Sequence, residues 1–115
     1  MEEERFKNLV QTLKFDDRGL IPAITQDHEN LEVLMMAWMN EESLKLTVDT
    51  KICHYWSRSR KTLWKKGGTS GNVQHIKWIK YDCDADVLLI GIDQVGEGAC
   101  HTGARSCFHN EIELD

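Results

Sequence analysis

Apolar positions along this chain recur in two rhythms. Phe6, Leu9, Val10 and Leu13 follow the i, i+3, i+4, i+7 spacing of one helix face and predict a helix over residues 3–14. Asp16-Asp17-Arg18-Gly19 then reads as a turn. Residues 20–26 and 31–38 are apolar runs around the polar stretch Asp27-His28-Glu29-Asn30, the pattern of a strand pair. Pro22, the one proline, suits an early or edge position in the first strand. Asn40 is a good helix N-cap, and Glu41 and Glu42 favour a first turn through the helix dipole, predicting a short helix over 41–49. Residues 52–57 read as a strand, and 67–71 as a glycine-rich loop. Two more strands are expected over 73–82 and 87–95, with Asp82–Asp86 between or within them. A loop over 96–105 and a last strand over 106–112 complete the pattern. The expected fold is α+β: two short helices and a mainly antiparallel sheet, in a single domain spanning residues 1–115.

Composition narrows the class. The chain has 115 residues, of which 41% are hydrophobic and 29% charged, with four Trp, enough apolar material for a core. No apolar run approaches the ~20 residues that span a bilayer. The N-terminal Met1-Glu2-Glu3-Glu4 lacks the apolar centre of a secretion signal, so a cytoplasmic protein without membrane partners is expected. Four cysteines are too few for a typical secreted disulfide scaffold. In a reducing compartment such residues serve as metal ligands, nucleophiles or buried hydrophobes.

The net charge of −5 conceals three blocks. Residues 1–49 carry five basic and eleven acidic side chains, net −6. Residues 50–81 carry eight basic and no acidic side chains, and residues 82–115 carry one Arg and eight acids. A basic segment between acidic ones points to a local anion site rather than a general nucleic-acid surface; a solvated basic hairpin is the plainer alternative.

Three constellations carry chemistry. In Asp82-Cys83-Asp84-Ala85-Asp86, the backbone, if extended, places the three carboxylates on one face and Cys83 on the other; a solvated acidic turn is the plainer alternative. Carboxylates so crowded repel unless solvated or bridged by a hard cation such as Mg²⁺. The run Cys100-His101-Thr102-Gly103-Ala104-Arg105-Ser106-Cys107-Phe108-His109 gathers two thiols and two imidazoles, and Cys83 is a possible third thiol. Three protein ligands on Zn²⁺ leave a position for water, whereas His101 or His109 could close a four-ligand site. Ordinary buried thiols are the alternative. Cys53, in the apolar stretch Ile52–Trp56, is expected to be one; His28 reads as surface, His54 and His75 as structural, with His75 kept as a catalytic candidate. The third constellation runs from Tyr55-Trp56-Ser57-Arg58-Ser59-Arg60-Lys61 to Leu63-Trp64-Lys65-Lys66-Gly67-Gly68-Thr69-Ser70-Gly71. Arginine forks match phosphate oxygens, a glycine-rich loop offers backbone N–H groups, and Trp faces can stack on a purine. The spacing is not that of a Walker loop.

Together these motifs resemble the phosphoribosyl-AMP cyclohydrolases of histidine biosynthesis, with weaker similarity from Phe15 through Pro22-Ala23 and Leu34–Asn40. The resemblance covers about nine-tenths of the chain. It implies a homodimeric α+β fold with a strongly twisted, barrel-like sheet, and hydrolytic opening of the purine ring of phosphoribosyl-AMP between N1 and C6. It also implies Zn²⁺ on Cys83, Cys100 and Cys107, the first thiol from one subunit and the other two from its partner, and Mg²⁺ on Asp82, Asp84 and Asp86. Some relatives continue into a pyrophosphohydrolase domain; with the chain ending at Asp115 that activity is not expected. His101 and His109 are candidate general bases, His101 first because it adjoins a ligand. Trp56, Arg58, Arg60, Lys65, Thr69, Ser70, Gly71 and Arg105 are candidate substrate-binding residues. Two other functions compete. A small zinc deaminase lacks support because its His-x-Glu and Pro-Cys-x-x-Cys pattern is absent. A zinc module binding nucleic acid through residues 57–66 is opposed by the acidic flanks.

Overall fold

A computed structural model describes residues 1–114. Two helices and six strands follow one another: α1 (Glu3–Thr12), β1 (Ile21–Asp27), β2 (Val33–Met39), α2 (Glu41–Thr50), β3 (His54–Ser57), β4 (Thr62–Lys65), β5 (Gln74–Tyr81) and β6 (Leu88–Gln94). The strands form one sheet in the order β4-β3-β2-β1-β6-β5. No helix among the described residues is long and apolar enough to cross a membrane.

The local signals act as expected at α2. The Asn40 side chain accepts from the Ser43 N–H at 2.8 Å, and the Ser43 hydroxyl accepts from the Asn40 N–H at 2.9 Å. This reciprocal pair satisfies two N–H groups that a helix start leaves free. On α1, Phe6 faces the core and the Lys45 ammonium of α2 lies 5.2 Å from its ring centroid.

The sheet is mixed, which corrects the expectation of a mainly antiparallel one. β1 pairs antiparallel with β2 but parallel with β6, matching Ala23 to Leu88 and Thr25 to Ile90. Ile21, Ala23 and Thr25 alternate into the interior from β1, beside Leu88, Ile90 and Ile92 of β6. Leu34, Met39, Leu44 and Tyr55 complete the fully buried centre. Each such Leu or Ile removed from water contributes ~1.5–3 kcal/mol, so these strands hold the sheet's middle rigid.

Two further expectations change. The segment 62–65, unassigned from sequence, is β4, because pairing with β3 satisfies its backbone. The segment 106–112 is not a strand: only Ser106 and Cys107 bind the start of β2, where the Cys107 N–H donates to the Leu34 carbonyl at 2.7 Å.

Candidate active site

The β3–β4 hairpin builds one wall of a cleft of about 1360 Å³. Trp56 on β3 lies opposite Trp38 on β2, and directly opposed residues project to the same face of a sheet. The Arg58 guanidinium stacks 4.7 Å from the Trp38 ring centroid. Arg60, Thr62, Lys65 and Lys66 continue the wall, and Thr69 and Ser70 form its lip. The lip is shaped by Gly67, whose φ is +80°; a Cβ there would lie 2.3 Å from the Val73 nitrogen. Only glycine combines that backbone with that approach. The Gly71 N–H closes the loop onto the Gly67 carbonyl at 2.8 Å.

The cleft is unneutralised. Arg58, Arg60, Lys65 and Lys66 have no carboxylate within 4.0 Å among the described residues, and Glu97 is the acidic residue in the lining. Burial lowers the Lys66 ammonium pKa, while the negative charge of Cys107 and Cys100 opposes this.

The opposite wall is the thiol loop that follows β6. Its two limbs pair through Ala99 N–H to the Arg105 carbonyl (3.0 Å) and Cys100 N–H to the Ala104 carbonyl (3.1 Å). Gly98 permits this, since a Cβ would lie 2.4 Å from the Ala104 oxygen. Cys100 and His101 line the cleft. The Thr102 hydroxyl donates to the Cys100 sulfur at 3.0 Å, and His109 Nε2 lies 3.8 Å from the same sulfur. These bonds bring the Cys100 thiol pKa down to about 6, Thr102 contributing most and His109 and Cys107 assisting. Cys107 moves the other way, raised by burial and by the charge of Cys100. Cys53 is a core thiol, fully buried, with its pKa pushed up to about 12 by desolvation.

Cys100, with its ready thiolate, Cys107 and His109 are soft donors of the kind zinc takes, but their ligand atoms do not all lie within 4.8 Å of one another in the single chain. Cys83 is not among them. It is exposed in the β5–β6 turn, and the only trio of metal-binding side chains converging within one chain, among the described residues, is Asp82, Asp84 and Asp86.

That trio converges by a tight turn, the alternative to strand alternation within an extended segment. Ala85 has φ +59°, its N–H donates to the Asp82 carbonyl at 3.0 Å, and Asp82 Oδ1 accepts from the Asp86 N–H at 3.0 Å. One donor oxygen from each carboxylate lies within 4.8 Å of the others. Asp86 is raised by its hydrogen bond to Asp82, then by desolvation and by the charges of Asp82 and Asp84. Desolvation pushes Asp82 up, but hydrogen bonds from Asp86 and Val87 prevail and leave it lowered. Such a crowded set of hard oxygens fits Mg²⁺, whose charge relieves the repulsion.

Of the sequence candidates, Trp56, Arg58, Arg60, Lys65, Thr69, Ser70, Cys100 and His101 line the cleft. Gly71 lies just beyond its lip, and Cys107 and His109 stand behind Cys100. Arg105 faces away: Nη2 donates to Asp27 and Nε to Glu32. The candidate substrate-binding set from sequence includes neither Trp38 nor Lys66, although Lys66 lies in the basic constellation. Trp38 was hidden in an apolar run, and Lys66 in a run of cations whose directions only the hairpin defines.

A family model described as phosphoribosyl-AMP cyclohydrolase matches residues 35–109. The chain belongs to this family. It is 60% identical over 103 residues to a phosphoribosyl-AMP cyclohydrolase of Archaeoglobus fulgidus, covering 90% of this chain and 94% of that one. The corresponding protein of Trichormus variabilis is 55% identical over 104 residues, 90% of each chain. A histidine biosynthesis bifunctional protein HisIE of Prochlorococcus marinus subsp. pastoris is 56% identical over 104 residues, 90% of this chain and 47% of that one. The chain thus spans about half the length of the bifunctional relatives it matches.

Proposed function

We propose that this chain hydrolyses phosphoribosyl-AMP between N1 and C6 of the purine, the ring-opening step of histidine biosynthesis, as a cytoplasmic homodimer with a barrel-like sheet. The observation that carries this reading is the cleft: cations with no carboxylate partner among the described residues and Trp56 on one wall, Cys100 and His101 on the other. The substrate has two phosphates, each roughly −1.5 to −2 by analogy with phosphorylated side chains. Arg58, Arg60 and Lys65 supply the opposing charge, and Thr69, Ser70 and Gly71 the neutral donors. Trp56 offers a face to the purine. Arg105, held by Asp27 and Glu32, serves the site by fastening the thiol loop.

Zn²⁺ is assigned to Cys100, Cys107 and Cys83 of the partner subunit, where it would lower the pKa of a bound water towards neutrality. His101 takes the proton as oxygen bonds to C6; the C6–N1 bond then breaks, C6 becomes the carboxamide carbon, and N1 takes up a proton. A positioned base of this kind is worth ~10²–10⁴-fold. His109, beside the Cys100 sulfur, is the alternative base. Mg²⁺ is assigned to Asp82, Asp84 and Asp86, which one turn already gathers.

The test is an assay of phosphoribosyl-AMP consumption by absorbance with Zn²⁺ and Mg²⁺ supplied. The expected product is heavier than substrate by one water, with no ammonia released. Ammonia release identifies a deaminase instead, and an intact substrate overturns the reading.

A further inference from the structure

Lys66 is the one cleft cation to which neither the sequence pattern nor the proposed reaction assigns a task. Its neighbour Lys65 is exposed, as a residue that meets a soluble anion should be, whereas Lys66 is half-buried. The Lys66 ammonium donates to the carbonyl oxygen of Ala99, 33 residues away, and lies 5.8 Å from the Trp64 ring centroid. Its backbone N–H donates to the Cys53 carbonyl at 3.0 Å, so the stem of the side chain starts from a fixed point in the core.

The thiol loop is held unevenly. Its outgoing limb has three fastenings to the β1–β2 hairpin at the middle of the sheet: Arg105 to Asp27 and Glu32, the Ser106 hydroxyl to the Val33 carbonyl, and the Cys107 N–H to the Leu34 carbonyl. On the incoming limb, the Lys66–Ala99 bond ties the residue immediately before Cys100 to the hairpin wall. A charge-assisted bond to a backbone carbonyl orients a peptide plane more firmly than a neutral one. The Ala99 peptide plane in turn sets where the Cys100 sulfur points.

We propose that Lys66 is a positioning residue for the thiol site: through the Ala99 carbonyl it fixes the backbone that presents Cys100 to a metal. Groups one step removed from metal ligands commonly control affinity by holding the ligand in its binding orientation. The inference uses the hydrolase reading for its kinetic arm alone.

The experiment compares wild type, Lys66→Met, Lys66→Arg and Lys66→Gln. Zinc affinity is read by competition with a chromogenic chelator, and KM and kcat with phosphoribosyl-AMP. Lys66→Met is expected to weaken zinc binding ~10–100-fold and to leave KM within about twofold at saturating zinc. Lys66→Arg, which keeps charge and donor, is expected to recover most of the affinity, and Lys66→Gln, with a donor but no charge, to fall between. Unchanged zinc affinity in Lys66→Met, or a raised KM with zinc binding intact, overturns the proposal and makes Lys66 a substrate clamp. Should Lys66→Met fail to fold, wild-type affinity in Lys66→Gln overturns it equally. A wild-type chain that binds zinc but leaves phosphoribosyl-AMP intact defeats the hydrolase reading alone, while the chelator measurements still decide Lys66.

Discussion

Arg105 and Asp27, 78 residues apart, are joined by a bond from Nη2 to Oδ2 of 2.6 Å, and Glu32 takes the Nε of the same guanidinium. The pair fastens the limb that carries Cys107 to the end of β1. Because Arg105 is 42% exposed, each ion pair is worth no more than about 1 kcal/mol. Arg105→Ala is expected to lower Tm by only a few degrees and to weaken zinc retention, with KM for phosphoribosyl-AMP unchanged. A severalfold rise in KM, measured by steady-state kinetics, returns Arg105 to the substrate-binding set.

The Asp27 side of that pair has a pH signature. The Asn30 N–H lowers its carboxyl pKa most; desolvation opposes this, and the Glu29 N–H and Arg105 add to the lowering. A folded pKa below the unfolded one contributes stability above the unfolded value and loses it as pH falls through the folded value. Wild type is therefore expected to lose this contribution below about pH 4, and Asp27→Asn to show a shallower acid dependence of Tm. Identical acid limbs for the two proteins refute the assignment.

Cys100 is the thiol poised to ionise first. With its pKa near 6 it is mostly thiolate at pH 7 in metal-free protein, whereas Cys53, near 12, stays protonated and shielded. Alkylation by iodoacetamide, followed by peptide mass, is expected to mark Cys100 at pH 7 and to slow as pH drops below 6. Thr102→Val removes the strongest stabilising bond and is expected to shift that profile upward. A profile unmoved by the substitution excludes Thr102 as its cause.

Gly67 tests the cleft lip. An alanine must hold φ +80° with its Cβ 2.3 Å from a backbone nitrogen, so Gly67→Ala is expected to destabilise by ~1–3 kcal/mol. Because the loop carries Thr69 and Ser70, KM is expected to rise while zinc affinity is retained. Denaturant unfolding and kinetics measure the two effects separately.

The proposed sharing of thiols between copies predicts complementation. Cys83→Ala and Cys107→Ala should each be inactive alone. Mixed after reversible unfolding, half the dimers are heterodimers, each retaining one intact set of thiols, so about a quarter of wild-type activity is expected. No recovery, with dimers verified by light scattering, places all three thiols' work within one chain or outside the mechanism.

What the sequence determined lies close along the chain. The Asn40 cap, the face of α1, the glycine lip and the cationic hairpin depend on residues within a few positions of each other, where propensity and periodicity act. The thiols, carboxylates and basic run could be recognised as chemistry by residue type alone. What only the tertiary structure decided is who meets whom. The parallel pairing of β1 with β6, the Lys66–Ala99 bond and the Arg105–Asp27 bond join residues separated by dozens of positions. The Asp trio shows the same limit at short range, since one positive φ at Ala85 replaced alternation with a turn. Cys83 looks in sequence like a third ligand and stands apart from the other two in the folded chain. Pairings of this kind are selected by packing across the whole sheet, and no local window carries that information.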